Sequence, residues 1–197
     1  ADCAFLCARC GRLCTSNEAQ KLKLIPWAGT ALKLPGAFSF EEPIHLAGAA
    51  FAFLPLPIKT GLPVHINGSF ELAPDRERIW TRNERLQGEA AIKAEWNHLL
   101  LRDVITLCYH RLLDDAKSMV SGKQFFTVWP QEAQEPYDSL IRPLYDRIGR
   151  DSAFFPVRNT WEQLPIILRA EQYADSEDPE RPGWKVSLRK SVSNVLQ

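Results

Sequence analysis

The sequence predicts an α+β fold, with a mostly antiparallel sheet in the N-terminal half and helices in the C-terminal half packed on it. Strand-like runs crowd the chain up to Leu72, whereas apolar positions recur at helical spacing from Leu86 to Val120. Strands first and helices after is the order of a sheet covered on one side. The composition supports a core: of 197 residues, 45% are hydrophobic and 24% charged. The part from 1 to 85 reads as β-rich and 86 to 197 as helical and mixed, together one domain; a start without Met in apolar sequence suggests a segment cut from a longer protein, or a processed one.

The first run, "CAFLCARC", is a β-compatible stretch that ends at Gly11. It lies in a cysteine cluster, Cys3, Cys7, Cys10 and Cys14, with one further cysteine at Cys108. An odd, clustered set argues against a secreted disulfide framework. Cys7 and Cys10 have the C-x2-C spacing of a zinc half-site, but the other two ligands crowd within a few residues rather than lying across a loop. The reading adopted is a half-buried strand in which Cys acts as a small hydrophobe in a reducing, cytoplasmic setting, with no metal. A metal centre on the four clustered cysteines is the alternative.

"WAGTALKL" is the next strand, after a break at Pro26 and before Pro35 and Gly36; "GAFSFEEPIHLAG" reads as a loop or inserted hairpin. "AAFAFLPL" is expected as one strand, with Phe51 and Phe53 on one face. "LPLPIKTGLPVHINGSFEL", Leu54 to Leu72, reads strand, turn, strand, like a hairpin. Asn67-Gly68 is ordinarily a tight-turn signal. The alternation of Val64, Ile66, Phe70 and Leu72 runs across it, so a bulge inside a strand is the competing reading.

Between Gly88 and Gly122 no Pro or Gly interrupts the helical pattern. Trp96, Leu100, Val104, Leu107, Cys108 and Leu112 share one face, with Arg102, Arg111, Asp114 and Asp115 mostly opposite. One long helix or two joined ones fit equally. "PYDSLIRPLYDRIGR" is a further helix, with Pro136 in its first turn and Pro143 expected to kink it. "AFFPV" and "TWEQLPIILRA" are strand or short helical pieces.

Zero formal charge argues against a phosphate-gripping nucleic-acid binder, and no apolar run reaches the ~20 residues of a membrane span. Phosphate-loop, nucleophile-elbow, dinucleotide-binding and zinc-protease motifs are missing from the sequence. His98 and Arg102, like His110 and Asp114, stand one helical turn apart, as surface pairs commonly do. The carboxylate clusters read as solvated sequence. "DRERIW" offers more: Arg76 and Arg78 stand in a turn beside Trp80, placed to meet an anion such as a nucleotide phosphate on a neighbouring domain. A solvated loop next to a buried Trp explains the same residues.

"FAFLPLPIKTGLPVHINGSFEL", then "DRERIW" and "AEWNHLLLRDV", together with "LKLIPWAGTALKL" upstream, resemble the sacsin-like family. The likeness runs from Lys21 to Tyr109 and more loosely to Trp161. The positions that carry it, and that it implies are structural, are Leu54, Pro55, Pro57, Gly61, Pro63, Asn67, Gly68, Trp80, Trp96 and Asn97. The family has two adjacent basic residues before its "LW"; here Glu77 separates Arg76 from Arg78. The resemblance implies the segment that follows a Bergerat-type ATP-binding domain in a repeat related to a heat-shock chaperone. It implies a non-enzymatic module with no cofactor of its own, ATP on the neighbouring domain, and client proteins, other chaperones or neighbouring domains as partners.

Overall fold

The computed structural model describes residues 5–10, 22–33, 47–119, 125–151, 155–157 and 160–162. The chain divides into two compact units, 1–147 and 148–197. The first is built on a five-stranded sheet of order β1-β2-β5-β3-β4. Its strands are β1 (Phe5–Cys10), β2 (Ala28–Lys33), β3 (Ala49–Ala52), β4 (Leu54–Lys59) and β5 (His65–Gly68). Three of the four pairings are antiparallel, and β3 with β5 is parallel. The α+β architecture is therefore present, with one parallel pair in a mostly antiparallel sheet.

Residues Leu54 to Leu72 do not form the expected hairpin. β4 and β5 are separated in the sheet by β3, and the 60–64 connection crosses between them. The expected single strand "AAFAFLPL" instead folds back on itself at Phe53, which takes φ 62, so that Ala52 pairs with Leu54 and Phe51 with Pro55. Local alternation cannot reveal this, because strand-forming residues fill both arms and no Gly or Pro marks the corner. The prolines at 55 and 57 remove two alternate backbone donors from β4, which lies at the sheet edge where such losses are tolerated.

Asn67-Gly68 is not a turn. Both residues lie inside β5, paired with Gly29 and Ala28 of β2. Leu62, Val64, Ile66, Gly68 and Phe70 are all buried, so the period of two runs unbroken through the pair. In β2, Ala28, Thr30 and Leu32 point the same way into the core.

That face is covered by a single continuous helical rod: α1 (Gly88–Leu99), a π-helical segment (Leu100–Ile105) and α2 (Thr106–Ala116). The backbone N–H and the hydroxyl of Thr106 both donate to Leu101 O, the hydroxyl at 3.1 Å, so the widened turn leaves no orphaned carbonyl there. Trp96, Leu100, Val104, Cys108 and Leu112 are buried as expected, Leu107 is half-buried, and Arg102, Arg111, Asp114 and Asp115 face solvent. Short 3-10 turns follow at Phe126–Val128 and Tyr137–Leu140, and then α3 (Ile141–Asp151). Because α3 starts at Ile141, Pro143 sits in its first turn, where the missing N–H has no intrahelical partner to lose, and no kink is required. In the second unit β6 (Phe155–Val157) and β7 (Thr160–Glu162) form an antiparallel pair.

Candidate functional site: the Arg76 loop

After β5 the chain continues into a narrow hairpin. Leu72 and Ile79 form a bridge, Trp80 N–H donates to Glu71 O at 3.0 Å, and Ala73 N–H donates to Arg78 O at 2.8 Å. The tip, 74–78, is exposed. Arg76 adopts the left-handed conformation, φ 58, with its N–H on Ala73 O at 2.8 Å. Asp75 braces the tip: its carboxylate accepts from Glu77 N–H at 3.1 Å and from Arg78 Nε at 2.9 Å. The Glu77 N–H, helped by the Arg78 guanidinium, holds the Asp75 carboxyl below its usual range.

The two arginines are thus in different situations. Arg78 is engaged by Asp75, and Arg76 stands at the apex. A left-handed non-glycine residue costs of order 1–2 kcal/mol, which a loop sustains only if its base is held firmly.

Asn97 holds that base. Its side chain is 1% exposed, and its Nδ2 donates to Glu71 O at 2.8 Å and to Trp80 O at 2.9 Å. Its Oδ1 accepts from Glu71 N–H at 2.8 Å. Both arms of the hairpin are therefore bonded to one amide, and the partners fix its orientation, since a flipped amide would set oxygen against two carbonyls. The neighbouring Trp96 donates Nε1–H to Ser69 O at 2.9 Å. The Ser69 hydroxyl in turn bonds Ile25 O, and Ser69 N–H donates to Trp27 O at 2.9 Å.

The other positions singled out in the sequence serve the same framework. Gly61, at φ 76, sits where a side chain would press on the backbone of Ala133, and Gln134 N–H donates to Thr60 O at 2.8 Å. Pro63 is half-buried in the crossing. Gly68 lets Leu100 approach the sheet: a Cβ there would lie 3.1 Å from its Cδ2. The Asn67 Oδ1 accepts from Phe53 N–H at 3.2 Å and secures the sharp corner. Cys7 and Cys10 lie in β1 opposite Ala31 and Ala28, while Cys3 and Cys14 fall outside the described residues. Among the described residues no group of three or more His, Cys, Asp or Glu is placed to hold a metal.

Two features were not legible in the sequence. Beside the hairpin lies a cleft of about 150 Å³, lined by Trp80, Arg82, His98, Glu135 and Asp138 among others. It is smaller than the ~300–1,000 Å³ of ordinary ligand pockets. Burial, then the Arg82 charge, pushes the His98 pKa down. At the end of the sheet where β5 runs on towards the hairpin, Phe53 and Leu54 are 71% and 75% exposed, with Ile25 at 70%. The Phe53 ring stacks on Trp27 at 5.5 Å. No residue type signals these, because the cleft joins distant segments and Phe53 owes its exposure to one backbone angle.

Human sacsin is 29% identical to this chain over 203 aligned positions, covering 91% of the chain. The chain is similar to sacsin along most of its own length. It spans 4% of sacsin's length. No family model matches the chain, and no solved structure matches it. Among the described residues no helix is long and apolar enough to cross a membrane.

Proposed function

We propose that this sacsin-like chain is a non-enzymatic module of a larger, chaperone-related cytoplasmic protein, acting in protein folding and quality control. In this reading its Arg76 loop contacts a neighbouring ATP-binding domain, and ATP is bound there rather than on this chain. The observation that supports the reading is the placement of Arg76, an exposed guanidinium at the left-handed apex of a loop whose base is bonded on both arms by Asn97. An exposed cation on a pre-organised loop loses little entropy on meeting an anion. The test is Arg76→Ala in a parent chain that includes the ATP-binding domain. A charge-assisted contact of about 1.5–3 kcal/mol predicts a fall in ATP affinity or turnover of about tenfold or more. Unchanged ATP binding and turnover removes the role.

A second reading has its own observation. The cluster of Phe53, Leu54 and Ile25 at the sheet end suits an unfolded, apolar client. A passive scaffold is what remains if neither surface has an occupant.

A further inference from the structure

We propose that Asn97 is the positioning residue of the Arg76 loop, and that it ties the base of that loop to α1. The consequence for turnover rests on the reading of Arg76 as an interdomain contact; the positioning itself does not. Glu71 and Trp80 are the residues next to the Leu72–Ile79 bridge, so they form the base from which 73–78 projects. One buried amide bonds the Glu71 N–H, the Glu71 carbonyl and the Trp80 carbonyl. Those atoms fill both donor positions of the amide and one acceptor position. No other side chain of similar size offers two donors and an acceptor in that plane: Asp loses both donors and Leu loses all three bonds. The rod that carries Asn97 packs through α2 against β1 and β2.

The experiment is hydrogen exchange of the 71–80 amides in the full-length protein, comparing wild type, Asn97→Asp and Trp96→Phe, with ATP turnover measured in parallel. Asn97→Asp is expected to raise exchange across 71–80 by about tenfold or more, since it loses the two buried hydrogen bonds that the amide donates. Trp96→Phe removes the bond to Ser69 O outside the hairpin base and is expected to leave 71–80 within about twofold of wild type. Unchanged exchange in Asn97→Asp overturns the proposal, as does an equal rise in both variants, which would mark general loosening. If Asn97→Asp fails to fold, Asn97→Gln, which keeps the amide but displaces it by one methylene, carries the same comparison. Turnover supplies the reading that a merely structural role would not move: Arg76→Ala with Asn97→Asp is expected to be no slower than Arg76→Ala alone. A further loss in the double variant overturns action through Arg76. Raised exchange with turnover unaffected in both single variants supports the clamp and overturns the functional reading of Arg76 instead.

Discussion

His98 and Asn97 are neighbours on α1, yet their demands differ. Asn97 is fully bonded, whereas His98 borders the cleft where burial and the Arg82 charge both disfavour its protonation. Its folded pKa is lowered from 6.5, so the unfolded chain takes up a proton before the folded chain does. The contribution of the neutral ring is present above pH 6.5 and is lost as pH falls from there through the lower folded value. Thermal midpoints measured between pH 7.5 and 5 should therefore decline in the wild type and decline less in His98→Gln; parallel curves would show that His98 is not the source. The Asp75 carboxyl acts lower, below its ordinary value of 3.8, so the two windows are separable. At this scale the sequence offered identity without environment. "DRERIW" marked Arg76 and Arg78, but their separation into an apex and an Asp75 partner depends on one left-handed backbone angle. Asn97 stood out through family resemblance, and its three bonds reach residues 17 and 26 positions away.

Among the elements, the helical rod was the most legible, because more than two dozen positions without Pro or Gly repeat one apolar face. The strands were legible as strands but not in their partners. Pairing depends on contacts between distant segments, and the period of two is the same whether β4 lies beside β5 or across β3 from it. Two glycines test the arrangement. Gly48 donates to Leu62 O at 2.7 Å and its own carbonyl accepts from the Thr60 hydroxyl at 2.9 Å. A Cβ at Gly48 would collide with the backbone carbonyls of Leu62 and Val64, which cannot swing aside. Gly48→Ala should cost about 1–3 kcal/mol in chemical denaturation, the overpacking range. Gly68→Ala meets only the side chains of Leu100 and Phe70, at 3.1 and 3.2 Å, and should cost less. The reverse ranking would contradict the crossing of 60–64 against Gly48.

For the molecule as a whole, the exposed sheet end invites a direct assay. The full-length protein is warmed with a heat-labile client and light scattering is followed. Phe53→Ser with Leu54→Ser should lose suppression at near-equimolar ratio if that end takes clients, and equal suppression by wild type and variant would remove the second reading. The sequence by itself determined the α+β class, the strand-forming runs, the buried face of the rod and the sacsin-like relationship, since each is written in local periodicity or in contiguous residues. Only the tertiary structure decided that β3 parts β4 from β5, that Phe53 turns outward, and that one amide on α1 bonds both arms of the Arg76 hairpin. Those depend on which distant backbone groups find each other once apolar surface is buried, and buried polar groups are then obliged to pair with whatever donors and acceptors the packing brings within reach.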